Sequence, residues 1–262
     1  MIPVVPQGGR PKVGTTRRGG DFPLSRQAGP RKGDQDLRGV AKVVWKPCYR
    51  LIPSHFPPIS VYDRVASPAD LDAVFSIENL TNPRLRQEAG DISIVPPEDR
   101  VSGPGTTPIM AAFAHLNPEG SRFSDGSYGV YYAGHTLDTA IAETRYHRAR
   151  FLAMTREDPL EIDMRTYLAD LDGELHDIRG RDDLTDVYAR DSYAAGQALA
   201  RALKAANSYG LAYDSVRHAG GECVAVFRPP VLSNCIQGPH FGYVWDGAQI
   251  STVYEKKLYA NY

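Results

Sequence analysis

Apolar and polar positions follow helical spacing in some segments of the chain and strand spacing in others, which predicts a mixed structure. The run A-K-V-V-W-K-P-C-Y-R-L-I-P contains strand-forming residues from near Val40 and ends at a proline. Two later segments, Ser67 to about Gly90 and Thr107 to Leu116, begin with a hydroxyl residue followed by proline, a signal for a helix start. The second segment is the more apolar and predicts a buried helix.

The pattern after Thr136 predicts a further succession of helices and strands. A helix begins after this threonine, a capping residue, and runs to about Ala153. Five of its positions recur at helical spacing and are predicted to face the core: Leu137, Ala140, Ile141, Thr144 and Phe151. Beyond it we predict strands at 160–169 and 174–178, a helix at 188–206, strands at 210–215 and 222–227, and a hairpin that turns at Asp246-Gly247. Strands placed between helices with short connections predict an α+β fold, a mixed β-sheet core with packed helices.

The stretch from Asn117 to Arg150 carries the most specific chemical signal. It predicts a glycine-rich turn, a short aromatic strand and then a helix. This order places Arg122, Tyr131, Tyr132 and Glu143 around one crevice. A cation, an aromatic pair and a carboxylate suit a substrate with phosphates, a flat ring and a developing positive charge.

This stretch, taken with the segment Ser208–Pro229, resembles the RES-domain family, which is named for an arginine, a glutamate and a serine. Matched motif by motif, these residues are Arg122 in S-R-F, Glu143 in A-I-A-E and Ser215 in Y-D-S-V-R. The resemblance runs from about Trp45 to Leu232, and the segment before the arginine is longer than in the smallest members. It implies an ADP-ribosyltransferase-like fold and a bacterial toxin that consumes NAD as a substrate, without a cofactor.

The resemblance makes Glu143 and Arg122 the catalytic pair. In NAD the nicotinamide already carries the positive charge and departs neutral, so the useful protein group is a carboxylate that offsets the charge developing on the ribose. Without the resemblance, Glu143 is more often an exposed helix residue paired with His147. The guanidinium of Arg122 suits a pyrophosphate, although it can instead fix the S-D-G-S-Y-G turn.

Four further residues are predicted to bind the substrate. Tyr131 and Tyr132 occupy adjacent strand positions and point to opposite faces, so one belongs to the core and the other can stack on the nicotinamide ring. The doublet leaves open which tyrosine does so. Ser215 is predicted to donate a hydroxyl to the substrate ribose or phosphate, or is a plain strand-end serine. The resemblance also implies that Arg50, on the first strand, lies against the dinucleotide.

No metal site is predicted. The pair Glu143 and His147 has metal-like helical spacing but no third ligand in view. Cys48, Cys223 and Cys235 are odd in number and have no C-x-x-C spacing, so they indicate neither a disulfide framework nor a zinc site and fit a reducing cytoplasm. The chain also contains no phosphate-binding loop of the G-x-x-x-x-G-K type.

Charge divides the chain into two parts. Residues 1–38 carry eight Lys or Arg against three Asp, so their net charge is +5 and that of residues 39–262 is −6. The Gly, Pro and Arg content of the first part predicts a disordered basic tail ahead of one NAD-consuming domain. Such a tail can contact nucleic acid, but an acidic body argues against nucleic-acid binding by the whole protein. The absence of a long apolar run and of a secretory signal pattern leads us to expect a cytoplasmic protein without a membrane association.

Three functions remain open at this point. The first is cleavage of NAD with water or phosphate as acceptor, and the resemblance then implies an Xre-like antitoxin as the protein partner. The second is transfer of ADP-ribose to a protein target. The third is a non-catalytic module that binds a nucleotide or a partner.

Overall fold

The computed structural model describes residues 39–53, 90–257 and 259–260, which contain seven strands and three α-helices. The predicted mixed sheet with packed helices is confirmed. The predicted tail over residues 1–38 lies outside the described residues, as do residues 67–89 of the first predicted helix. The strands are β1 (Val40–Pro53), β2 (Tyr131–Gly134), β3 (Leu160–Asp177), β4 (Gly210–Asp214), β5 (Glu222–Val226), β6 (Leu232–Trp245) and β7 (Ile250–Lys256). The helices are α1 (Thr107–Ala114), α2 (Leu137–Thr155) and α3 (Ala194–Ala205).

The described strands form one sheet in the order β1-β2-β5-β4-β3-β6-β7. The pair of β3 and β4 is parallel, and the other described pairs are antiparallel. Strand β1 pairs with β3 along most of its length and also meets β2, where Tyr49 lies opposite Gly134. Five strands therefore close into a ring, and β6 and β7 extend the sheet from β3. Closure of this ring brings the C-terminal end of β1 next to Tyr131 and Tyr132 on β2.

The segment predicted as two strands, 160–169 and 174–178, is one continuous strand, so this prediction is wrong. Residues 170–173 lie between the two predicted strands, yet β1 pairs with β3 through this region, with Val43 opposite Gly173. A Cβ at Gly173 would lie 2.5 Å from Cγ1 of Val231. The glycine therefore serves the close approach of the 229–231 segment and does not mark a turn.

Helix α2 begins where the capping residue predicts. The side chain of Thr136 accepts a hydrogen bond from the backbone N–H of Thr139, as an N-cap residue does. The predicted core position Phe151 is wrong, because this side chain is 48% exposed and Leu152 is buried instead. Leu152 belongs to a cluster with Trp245 and other residues of β3 and β6, so the sheet surface selects which side of the helix is buried.

Helix α3 is shorter than predicted, since it begins at Ala194 and not at residue 188. The preceding segment makes tertiary contacts, two of them through its backbone carbonyls. The carbonyl groups of Val187 and Ala189 accept hydrogen bonds from Arg122, and the hydroxyl of Tyr188 donates to the carbonyl of Ile178. Tertiary partners therefore replace the helical ones.

The remaining elements agree closely with the pattern. Helix α1 is mostly buried, as expected of the more apolar of the two early segments. The hairpin between β6 and β7 turns at the predicted dipeptide, where Gly247 has a φ of 97°. No helix among the described residues has the length and apolar character needed to cross a membrane.

The ion pair between Asp99 and Arg228 is the best-buried one described outside the cavity, with side-chain exposures of 10% and 16%. One carboxylate oxygen accepts from both Nε and Nη2 of the arginine at 2.7 Å, which raises the pKa of the guanidinium. We expect Asp99→Ala to lower the free energy of unfolding by about 1–3 kcal/mol, because the partly buried guanidinium of Arg228 loses its carboxylate partner.

Urea unfolding measures this loss. The matched control is Asp172→Ala, which removes an exposed pair with Lys42 and should have a smaller effect. Equal losses in the two variants would contradict the assignment.

Candidate active site

A cavity of about 850 Å³ lies between the end of β1, α1, the turn before β2, and α2. Four of the six predicted site residues line it, namely Arg50, Arg122, Tyr132 and Glu143, whereas Tyr131 and Ser215 do not. Arginines outnumber carboxylates among the charged lining residues, which favours an anionic ligand. These residues are Arg50, Arg122, Arg148, Arg150, Arg165, Glu119 and Glu143.

The carboxylate of Glu143 is held by the loop that follows β4. Ser215 Oγ donates to Oε1 of Glu143 at 2.6 Å and accepts from the backbone N–H groups of Arg217 and His218 at 3.2 and 2.9 Å. A hydroxyl has one proton and two lone pairs, so it can donate to the carboxylate while it accepts from both amides. In this structure Ser215 orients the glutamate, and a direct contact with substrate stays a prediction.

The second oxygen of the same carboxylate faces His147, with Oε2 lying 3.8 Å from Nε2. Desolvation within the cleft, together with the nearby cations Arg217, Arg122, Arg148 and Arg150, lowers the pKa of this histidine to about 4. The imidazole is therefore neutral at pH 7 and places no positive charge beside Glu143. The described residues contain no group of three potential metal ligands around this pair or elsewhere.

Arg122 is a buried cation, 8% exposed, whose side chain is held by backbone carbonyls. Its Nη1 donates to the carbonyl oxygens of Val187 at 2.7 Å and Ala189 at 2.8 Å, and its guanidinium carbon lies 5.0 Å from the ring centroid of Tyr193. Among the described residues these bonds use one terminal nitrogen, so the other nitrogens can serve a ligand. The alternative role of fixing the S-D-G-S-Y-G turn is not what this side chain does.

The turn that carries Arg122 is fixed by Tyr132 instead. The Tyr132 hydroxyl accepts from the backbone N–H of Phe123 at 3.0 Å and shares a hydrogen bond of 2.7 Å with Ser121 Oγ. Burial raises the pKa of this phenol above its usual value, so the hydroxyl stays neutral. Its ring lines the cavity, while its hydroxyl bonds to the residues on either side of Arg122.

Tyr131 points to the other face of β2, where it is fully buried in the core with Trp45 and other residues of β1. Arg50 lies between the two tyrosines. Its Nη1 donates to the carbonyl of Tyr132 at 3.2 Å, and its guanidinium lies 4.9 Å from the ring centroid of Tyr131. Burial lowers the pKa of Arg50. Arg50 thus presents a desolvated cation to the cavity from the first strand.

Two further groups that no motif singled out line the cavity, Arg150 and Tyr193. The guanidinium carbon of Arg150 lies 5.7 Å from the ring centroid of Tyr193. The same ring also contacts the guanidinium of Arg122. A signal for Arg150 was present, because positions 143, 147 and 150 share one helix face. Tyr193 carried no such signal, since it comes from a segment that had been predicted as helix.

Comparisons with known proteins agree with the motif analysis. The RES domain model matches residues 97–246. The uncharacterized protein y4oC of Sinorhizobium fredii (strain NBRC 101917 / NGR234) is 35% identical over 208 residues, which cover 79% of this chain and 86% of that protein. Among solved structures, the crystal structure of the M. tuberculosis MbcT-MbcA toxin-antitoxin complex matches with a TM-score of 0.39 and 13% identity, over 78% of this chain and 88% of that chain.

We expect Ser215→Ala to lower the free energy of unfolding by about 1–3 kcal/mol, because two backbone N–H groups and one carboxylate oxygen lose their partner. Urea unfolding measures this change. Ser251→Ala is the control, because its hydroxyl is exposed on β7 and makes one long bond of 3.4 Å. A loss no larger than that of the control would show that the hydroxyl does not hold the loop.

Proposed function

Because this chain belongs to the RES-domain family, we propose that it cleaves NAD at the bond between nicotinamide and ribose and acts as a toxin by depleting NAD. The observation that carries the proposal is the carboxylate of Glu143. It faces a cavity whose other charged lining residues are mainly arginines, and Ser215 fixes its orientation.

The chemistry needs one carboxylate and no general acid. The leaving nicotinamide takes the bonding electrons and departs neutral, while positive charge develops on the ribose. Glu143 supports this step as a fixed negative charge near the sugar, and a preorganised charge acts most strongly where water is excluded. The neutral His147 adds no positive charge beside it.

The arginines account for recognition of the rest of the substrate. Arg122 is held at one terminal nitrogen and offers its other donors to the pyrophosphate, which a planar guanidinium can bind in a bidentate manner. Arg50 adds a second desolvated cation from β1. The Tyr132 ring is the one of the doublet that can meet the nicotinamide, because it lines the cavity. A cavity of about 850 Å³ lies within the roughly 300–1,000 Å³ range of ligand pockets.

The acceptor of the ADP-ribosyl group distinguishes the enzymatic alternatives. Purified protein incubated with NAD, with and without inorganic phosphate, should release nicotinamide together with ADP-ribose or its phosphorylated form. Transfer of label from NAD to protein would identify a transferase instead. Intact NAD after prolonged incubation would contradict the proposal and favour a binding module.

The proposal includes an antitoxin protein with an Xre-like DNA-binding part as the partner, and the cytoplasm as the place of action. Such a partner would cover the cavity and so prevent entry of NAD. Co-expression with this antitoxin should suppress both NAD loss and growth arrest, and a partner that leaves NAD cleavage unchanged would contradict this part.

We expect Glu143→Gln to reduce the rate of NAD cleavage about 10²- to 10³-fold, because it removes one preorganised charge from the transition state. The amide oxygen can still accept from Ser215, so the fold should survive. Single-turnover kinetics with NAD measures the effect. The control Glu174→Gln changes an exposed carboxylate on β3 and should leave the rate unchanged; a few-fold effect at Glu143 would mean that its charge does not serve the reaction.

Arg122→Lys should raise the Michaelis constant for NAD more than it lowers the turnover number. A lysine keeps the charge but lacks the planar fork that binds two phosphate oxygens. Steady-state kinetics separates the two parameters. A lower melting temperature with unchanged kinetics would instead assign the residue a structural role.

A further inference from the structure

The loop after β4, residues 215–221, packs along one face of α2. Positions 139, 143 and 146 of the helix have the spacing i, i+4 and i+7, so their side chains lie in one row. The loop contacts each of them in turn. These contacts are His218 Nδ1 to Thr139 Oγ1 at 2.8 Å, Ser215 Oγ to Glu143 Oε1 at 2.6 Å, and the Arg217 guanidinium carbon 3.3 Å from the ring centroid of Tyr146.

The approach of this loop to the helix is as close as the chain permits. A Cβ at Gly221 would lie 2.6 Å from Thr139 Oγ1 and 2.8 Å from His218 Nδ1. Backbone bonds from Ser215 to Gly221 and from Gly221 to His218 close the loop on itself. The loop is therefore one compact unit, and a displacement of any part of it displaces the serine on Glu143.

The other side of Arg217 reaches the segment that holds the catalytic arginine. Its Nη2 donates to the carbonyl oxygen of Arg190 at 2.6 Å. The neighbouring carbonyls of Val187 and Ala189 are the acceptors for Arg122. One guanidinium thus contacts both the helix that carries Glu143 and the segment that holds Arg122, although it does not line the cavity.

We infer that Arg217 is a positioning residue that ties the placement of Glu143 to that of Arg122. It acts by stacking its planar face on Tyr146 while its edge donates to the 187–193 segment. Lysine cannot do both, because an ammonium group has neither a stacking plane nor a fixed donor fork. The consequence for catalysis rests on the proposed NAD cleavage, whereas the physical coupling does not.

Kinetics forms the first arm of the test. A misplacement of about 1 Å can cost about 10²-fold in rate, so Arg217→Ala should raise the Michaelis constant, through Arg122, and lower the turnover number, through Glu143. Arg217→Lys should recover only a small part of the loss. Arg201→Ala is the control, because this exposed arginine pairs with Asp125. Full rescue by lysine, or activity of Arg217→Ala within about twofold of the parent, would overturn the inference.

A double variant tests whether Arg217 acts through Glu143. Residues that work as a unit give non-additive effects on turnover. Arg217→Ala introduced into Glu143→Gln should therefore lower the turnover number little further. A full multiplicative loss in the double variant would show that Arg217 acts independently of Glu143.

Hydrogen exchange of the parent and of Arg217→Ala provides a readout that does not need NAD. The variant should exchange faster in both segments, 215–221 and 187–193, and equally elsewhere, for example in the β6–β7 hairpin. Faster exchange in the loop alone would overturn the coupling. If the parent leaves NAD intact, the proposed function fails, and this measurement still decides the role of Arg217.

Discussion

The hydrogen bond from Ser215 to Glu143 is the contact on which the arrangement of the cavity depends. It joins the loop after β4 to the second turn of α2, across 72 positions of sequence. Two backbone amides occupy the lone pairs of the hydroxyl, so its single proton is directed to the carboxylate. One side chain therefore holds the loop closed and orients the carboxylate that the proposed chemistry uses.

Among the described residues, two cations of the cavity are held by carbonyl groups and aromatic rings. Arg122 is held by the carbonyls of Val187 and Ala189, and Arg50 by the Tyr132 carbonyl and the Tyr131 ring. A carboxylate partner would cancel each positive charge, whereas carbonyl dipoles and ring faces leave it available to a polyanionic ligand. The acidic net charge of the body is thus compatible with a positive cavity, because the placement of charges determines the local potential.

The same contacts explain where the sequence patterns mislead. The alanine-rich pattern predicts that the helix begins at residue 188. In the structure the carbonyl groups of Val187 and Ala189 accept hydrogen bonds from Arg122 instead, and the helix begins later. Gly173 lies in the gap between the two predicted strands and is a place where the chain packs closely on Val231. In both cases a contact with a residue distant in sequence overrides the local preference. In the first case that residue, Arg122, is part of the candidate active site.

Local patterns alone determined the first strand from Val40, the capped start of α2 at Thr136 and the turn of the last hairpin, because capping and turn chemistry act within a few residues. They also placed Arg122 and Glu143 at one crevice. The tertiary structure alone decided that Tyr132 and not Tyr131 lines it, and which groups hold Arg122 and Glu143. Those partners lie 65 and 72 positions away in sequence, and the closed ring of strands, which no local pattern encodes, is what brings them together.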